Sequence, residues 1–319
     1  TSAGVHVGLV LRALDALGHA AEPGAQRLTD RIRAAGFTVV LDSVNGAGRH
    51  AGRVLLERLG CRVVALGDDD TGLFWHTPEP TRENLAPVMQ RTASTGAVVG
   101  FCQDPDADRL ALLASDGSYI GEEYTLVLAA RGVLSLRAAS GASAGPPASA
   151  AVNLSTSRMI DDVAAAQAAS VLRTPVGEAH VVSAMKAHVC PIGGEGNGGV
   201  IWPAVTFVRD SLGAMGLVLA LMVTTGQSLA DLVRAIPAYA IDKRKVDIPS
   251  KDAARPAVEA VARHFAAARD AAGSPPRIDL QDGVRVDLAL SDGPAWVHVR
   301  ASNTEPIMRL IAEARSPAS

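Results

Sequence analysis

The chain has 319 residues, 48% of them hydrophobic but only 3% aromatic, and a formal net charge of −3. That length admits two or three domains whose cores are filled by Ala and small aliphatics. The near-neutral balance excludes general affinity for nucleic acid or an anionic membrane surface, so any anion must be bound locally. Cys61, Cys102 and Cys190 form no CxxC pair, which predicts reduced thiols in a cytosol, Cys102 as a small core residue. No signal peptide is legible, and the longest apolar stretch, residues 212–223, is too short to span a bilayer. A soluble, cytoplasmic protein is expected.

Residues 1–35 read as helical, with Val10, Leu11, Leu14 and Leu17 at helical spacing and Gly18 as a stop. A strand at 37–41, a helix at 51–59 ended by Gly60 and a strand at 62–66 make a βαβ unit. A helix near 83–93 and a strand at 97–101 extend that sheet, and a strand at 110–113 precedes the Asp116-Gly117 turn. Gly46-Ala-Gly48-Arg-His-Ala51, with Asp68 downstream, partly matches a dinucleotide fingerprint and admits an oxidoreductase. Against this, Asp42-Ser-Val-Asn45 intervenes where a tight turn is required. Residues 138–150 form a low-complexity loop or hinge. A second α/β unit follows: strand 151–154, helix from 158, strand 171–173, helix 179–186 and an apolar helix after Asp210. One helix at 258–268 and strands at 284–290 and 295–299 complete a smaller α+β unit.

Three loops carry chemistry. In Asp104-Pro-Asp106-Ala-Asp108-Arg109 an extended backbone aims three carboxylates to one side, where they repel unless a cation sits among them. Hard oxygen ligands suit Mg2+, or Mn2+ at need. A calcium EF-hand fails, because its sixth and twelfth positions hold Arg109 and Ser115. A plain acidic turn is the alternative. In Gly193-Gly-Glu195-Gly-Asn197-Gly-Gly199 the glycines allow close backbone approach, and Glu195 and Asn197 suit sugar hydroxyls. The strand-like Val200-Ile-Trp-Pro203 that follows excludes a dinucleotide fold there. Arg300-Ala-Ser302-Asn303-Thr304-Glu305-Pro306, with Arg309 beyond, offers an anion-binding nest and two guanidinium forks matched to phosphate. An ordinary Ser-Asn turn is its alternative.

Together these loops resemble the α-D-phosphohexomutase family of phosphosugar mutases. The match also takes in Val39-Val-Leu-Asp42 with Asn45-Gly46, Pro78-Glu-Pro80 with Glu83-Asn-Leu85, and Gly121-Glu-Glu-Tyr-Thr125, nearly the whole chain. The Glu-Gly-Asn-Gly-Gly loop is most similar to that of archaeal-like phosphoglucosamine mutases. The resemblance implies an α/β fold of tandem three-layer α/β/α domains followed by a smaller α+β C-terminal domain. Residues 1–35 would be a linking helix left from an N-terminal domain, 36–122 the metal-loop domain, 123–238 the sugar-loop domain and 239–319 the phosphate-binding domain.

The resemblance further implies Mg2+ on Asp104, Asp106 and Asp108 with a phosphoserine oxygen. Glu195 and Asn197 would hold sugar hydroxyls, and Arg300, Ser302, Asn303 and Thr304, with Arg309 beside them, the non-reacting phosphate. Arg109 would steady the transferring group. In the family's reaction phosphoserine phosphorylates the sugar, and the resulting bisphosphate reorients and returns its other phosphate. Partners would be a hexose phosphate and a hexose bisphosphate, with no nucleic acid or membrane, and a homodimer is an open arrangement. The expected conversion is glucosamine 6-phosphate to glucosamine 1-phosphate. A phosphomannomutase/phosphoglucomutase and a non-catalytic phosphosugar-binding protein are the alternatives. The family's serine lies in a Ser-His-Asn-Pro loop, and no Ser-His-Asn occurs among these residues. The chain is therefore expected to be a fragment, inactive alone. His180 and His188 read as surface or supporting histidines. Where the family often carries a histidine, just after Gly177, this chain has Glu178, a candidate to touch the sugar.

Overall fold

The computed structural model describes residues 2–141, 149–250, 253–271, 273–302 and 305–317. The first helix, α1 (Ser2–Ala21), buries Val7, Val10 and Leu14 on one face. Gly18 does not stop it. A Cβ there would stand 3.0 Å from Leu28 Cβ, so the glycine gives room to α2 (Leu28–Ala35), and one glycine costs a helix only about 1 kcal/mol.

Strand β1 (Thr38–Asp42) is followed by α3 (Arg49–Arg58), β2 (Arg62–Leu66), α4 (Ala86–Ser94) and β3 (Val99–Gln103), then β4 (Leu110–Ala114) and β5 (Tyr119–Gly121). The sheet order is β2-β1-β3-β4-β5. β1 runs parallel to β2 and β3, while β4 returns antiparallel to β3. Every residue of β3 and β4 is buried, as expected of strands covered on both faces.

The second sheet repeats this plan. After α5 (Glu122–Ala139) come β6 (Ser149–Asn153), α6 (Met159–Ala165), β7 (Ser170–Thr174), α7 (Glu178–His188), β8 (Ile192–Glu195) and β9 (Gly199–Ile201). Its order is β7-β6-β8-β9, with β6 parallel to β7 and β8, and β9 antiparallel to β8. Helix α8 (Ser211–Thr225) is buried from Ser211 through Met222 and packs on α5 and α1, which explains its all-round apolar surface. Helix α9 (Leu229–Arg234) closes the unit.

The third sheet is wholly antiparallel, β10-β14-β13-β12-β11. Its strands are β10 (Ala240–Asp247), β11 (Arg277–Asp279), β12 (Val284–Leu290), β13 (Gly293–Ala301) and β14 (Ile307–Ala314), and α10 (Ala254–Ala266) packs on β11, β12 and β13. Tandem α/β units followed by an α+β unit are thus what the chain forms.

Some elements depart from expectation. Of the stretch 138–150 expected as a low-complexity loop, residues 138–139 belong to α5 and 149–150 to β6, while residues 142–148 lie outside the described set. Helix α4 starts at Ala86 rather than near 83, with Pro87 in its first turn, where a missing N–H costs nothing. Cys61, Cys102 and Cys190 are free thiols in buried positions, and burial pushes Cys61 up to about 12. No helix among the described residues is long and apolar enough to cross a membrane.

Candidate active site

The β3–β4 and β8–β9 connections occupy the same place in their two sheets. Each leaves the carboxyl end of a parallel strand, the usual side for ligands in such sheets. The first connection is the aspartate loop. Asp104 is 1% exposed. Its Oδ1 accepts the Arg109 backbone N–H at 3.0 Å and its Oδ2 accepts Arg109 Nε–H at 2.7 Å. Ala107 takes φ +61°, a conformation that costs a non-glycine residue about 1–2 kcal/mol and turns the chain sharply between Asp106 and Asp108.

Gly46 and Gly48 explain how this loop is seated. A Cβ on Gly46 would meet Pro105 O at 2.5 Å, and one on Gly48 would meet Ala107 Cβ at 2.5 Å. Ala47 N–H donates to Pro105 O at 2.8 Å. These glycines admit the aspartate loop, and they need no dinucleotide to account for them.

One oxygen from each of Asp104, Asp106 and Asp108 lies within 4.8 Å of the others. Octahedral Mg2+ holds oxygens at about 2.0–2.1 Å, which puts ligand atoms about 3 Å apart when adjacent and about 4 Å when opposite. The trio fits such an ion after a small contraction. Burial, together with the charges of Asp104 and Asp106, pushes the Asp108 carboxyl up to about 7 against the opposing Arg209 guanidinium. Three crowded carboxylates are thus incompletely neutralised, as a cation site requires.

Arg109 faces several carboxylates at once. Besides Asp104, its Nη1 lies 3.4 Å from Glu79 and 3.9 Å from Glu122, and its Nε 3.8 Å from Asp108. Its fork lies at the rim of the aspartate loop with 23% of the side chain exposed.

The sugar-loop candidates sit beside it. Glu195 ends β8 and is 5% exposed. Its Oε1 accepts Asn153 Nδ2–H at 2.7 Å and the Gly177 N–H at 3.1 Å. Asn197 Oδ1 accepts its own loop's Gly199 N–H at 3.3 Å. Gly198 takes φ +88°, and its carbonyl accepts the Leu110 N–H at 3.1 Å. The two loops therefore touch at their bases.

Arg209 was not legible as a functional residue, yet it joins these loops. Its Nε donates to Glu178 Oε2 and its Nη1 to Glu195 Oε2, both at 3.0 Å, and its Nη2 donates to Asp108 Oδ2. The only local signal is its place before Asp210, whose carboxylate caps α8 by accepting Leu212 and Gly213 N–H at 3.0 Å. Glu178 points at Arg209 rather than standing alone. His180 and His188 are exposed on α7, in keeping with a surface role.

The third loop approaches through Asp282, also missed from sequence. Asp282 Oδ2 accepts Arg300 Nε–H at 2.7 Å and the Val176 N–H at 3.0 Å. Arg300 is 4% exposed and Ser302 3%. Ser302 N–H donates to Ile307 O at 2.8 Å, and its Oγ accepts the Glu305 N–H at 3.4 Å. Arg309 pairs with Arg300 in the β13–β14 register and reaches Glu305 at 3.5 Å. Asn303 and Thr304 lie outside the described residues. A run of contacts thus passes from Arg300 through Asp282 to Val176, continues in the chain to Gly177, and then crosses Glu195 and Arg209 to Asp108.

A doubled α/β unit with an acidic hairpin is thus followed by an antiparallel unit in which Arg300 and Arg309 pair. The models of phosphoglucomutase/phosphomannomutase α/β/α domain II, α/β/α domain III and C-terminal domain match residues 17–117, 123–239 and 244–319. The chain belongs to the α-D-phosphohexomutase family. It is 34% identical over 295 residues to a probable phosphoglucosamine mutase of Methanopyrus kandleri, covering 91% of this chain and 61% of that protein. It is 34% identical over 279 residues to a phosphoglucomutase/phosphomannomutase of Thermococcus kodakarensis, covering 87% and 57%. The chain thus spans about three fifths of the length of these relatives. Among solved structures, a family protein of Burkholderia thailandensis superposes with a TM-score of 0.73 at 25% identity, over 91% of this chain and 60% of that one. The fold also matches an Aspergillus fumigatus N-acetylphosphoglucosamine mutase solved with GlcNAc-6P and magnesium, TM-score 0.65 at 16% identity, over 96% and 62%.

Proposed function

We propose that these residues form the metal-, sugar- and phosphate-binding parts of a phosphosugar mutase acting on glucosamine 6-phosphate. The observation that carries the reading is the contact run joining the aspartate loop, the Glu195 loop and the Arg300 turn. Domain boundaries near residues 122 and 239 fit the three sheets. Asp104, Asp106 and Asp108 would hold Mg2+, which when bound supplies positive charge to a transferring phosphoryl group.

The chain's own residues do the rest. Arg109, anchored on Asp104, presents its fork to the phosphoryl oxygens. Glu195 and Asn197 accept and donate at the sugar hydroxyls, and Arg300, Ser302, Asn303, Thr304 and Arg309 clasp the phosphate that is not reacting. Holding both ends of the sugar fixes which oxygen faces the acidic loop, and positioning of this kind is the main protein contribution to phosphoryl transfer. No Ser-His-Asn tripeptide occurs among the 319 residues. On this reading the chain binds substrate, and turnover requires a phosphoserine it does not itself carry. Three unpaired, buried cysteines support a cytoplasmic setting.

A phosphomannomutase/phosphoglucomutase is the second reading, favoured by the equal identity to the Thermococcus kodakarensis protein of that name. Calorimetric titration with glucosamine 6-phosphate, mannose 6-phosphate and glucose 6-phosphate in Mg2+ tests both. Tightest binding of the amino sugar is expected. Preference for mannose or glucose phosphate selects the second reading, and no binding of any of them overturns both.

A further inference from the structure

Arg209 contacts three carboxylates at once. Its guanidinium meets Asp108 of the aspartate loop, Glu195 of the sugar loop and Glu178 at the start of α7, residues from three separate elements. One guanidinium thus serves three carboxylates, with Arg109 Nε also 3.8 Å from Asp108. The arrangement has been given room: a Cβ on Gly199 would collide with Arg209 Cδ, so the arginine stem crosses the sugar loop only because that position is glycine. The adjoining backbone is fixed as well. Ser211 N–H donates to Ala107 O at 3.2 Å and Gln103 Nε2–H to Ser211 Oγ at 2.8 Å, so Arg209 cannot drift from the aspartate loop.

The Asp108 carboxylate has two suitors. It accepts from Arg209, and Asp108 belongs to the trio whose oxygens fit a divalent ion. A cation held by the trio would compete with the guanidinium for the charge of the Asp108 carboxylate. Arg209 would keep its hold on Glu178 and Glu195 through Nε and Nη1, leaving Nη2 free to turn from Asp108 to another acceptor. A guanidinium N–H released into a cleft seeks an anionic oxygen.

We infer that Arg209 is a positioning residue that makes metal binding and phosphosugar binding cooperative, by exchanging its Nη2 contact between Asp108 and an oxygen of the bound phosphosugar. The inference rests on the phosphosugar reading of the site and adds to it a coupling between two ligands. Coupling of this kind is reciprocal: each ligand tightens the other by the same factor.

The test is a binding cycle on the 319-residue chain, with Mn2+ and glucosamine 6-phosphate as probes. Each is titrated calorimetrically in the absence and presence of the other. The wild-type chain is expected to bind the phosphosugar about tenfold more tightly with Mn2+ present, within the usual range of coupling between sites. In Arg209→Gln both ligands should still bind, with the ratio falling to near one. Arg209→Lys, whose single ammonium cannot span three carboxylates, should give the same loss and serves if the glutamine variant does not fold. A wild-type ratio near one overturns the inference, as does a tenfold ratio that survives either substitution. Failure of the wild-type chain to bind either probe is a different result: it sinks the phosphosugar reading, and the inference with it.

Discussion

Arg300 and Arg309 face each other across the β13–β14 pairing, which puts two guanidinium side chains on one face of the sheet. Arg300 is held by Asp282 at 2.7 Å and Arg309 reaches Glu305 at 3.5 Å, and a bound phosphate would be a partner common to both forks. Arg309→Ala should therefore weaken hexose phosphate binding about tenfold or more, the loss of one charge-assisted hydrogen bond. The same change should leave the stability of the unliganded chain nearly unchanged, because the exposed Arg309–Glu305 pair is worth little. Calorimetry and urea denaturation measure the two effects, and weakened binding accompanied by a large loss of stability would point instead to a structural arginine.

The aspartates should separate by burial. Asp106 is exposed while Asp104 is almost fully buried and holds Arg109 through two hydrogen bonds. Asp106→Ala should abolish Mn2+ binding with little change in stability. Asp104→Ala should also cost about 3 kcal/mol, because the Arg109 backbone N–H and Nε–H lose the buried carboxylate that accepts both. Paramagnetic titration with Mn2+ and denaturation of both variants check this.

Glu122 should make stability depend on pH. Burial pushes its carboxyl up to about 7, despite the opposing Lys243 and Arg109, and its Oε1 is buried without a hydrogen bond among the described residues. The folded chain then holds a proton that the unfolded chain has released above the ordinary glutamate value. Stability falls as pH rises from about 4.5 to about 7 and levels off above. Glu122→Gln should remove this part of the slope and gain on the order of 2 kcal/mol at pH 8. Identical slopes for the two proteins between pH 5 and 7 would contradict the assignment.

Gly198 joins the sugar loop to the aspartate loop through its carbonyl. It sits at φ +88°, and an added Cβ would stand 2.5 Å from Leu110 O. Gly198→Ala should cost about 2 kcal/mol or more, through both strain and the lost contact. It should also weaken phosphosugar binding, whereas Gly24→Ala, in open space at a similar positive φ, should affect stability alone.

Much of this was legible because the signals were local. Arg62–Leu66 and Val284–Leu290 coincide with the expected strands, since short runs rich in branched residues and bounded by turns identify strands. The aspartate trio is readable because three carboxylates fall within five residues, but a sharp turn at Ala107, φ +61°, gathers them rather than the extended, alternating backbone expected. Other features carry no local signal. Helix α5 has apolar residues around its whole circumference, so no 3.6-residue stripe marks it. Strand β10 is an exposed edge carrying Asp242, Lys243, Arg244, Lys245 and Asp247, and such charge protects an edge while erasing the alternation that reveals a strand. Arg209 gains its role from partners brought close only by tertiary packing, Asp108 from the first sheet and Glu178 and Glu195 from the second.

The most direct measurement is phosphorus relaxation of glucosamine 6-phosphate by Mn2+ bound to the chain. If one cleft holds both, the ligand's 31P signal should broaden in a protein-dependent way, and the broadening should vanish in Asp106→Ala and in Arg300→Ala alike. Broadening that persists in Arg300→Ala, or saturated sugar binding with no paramagnetic effect, would mean that the acidic loop and the arginine turn serve separate sites.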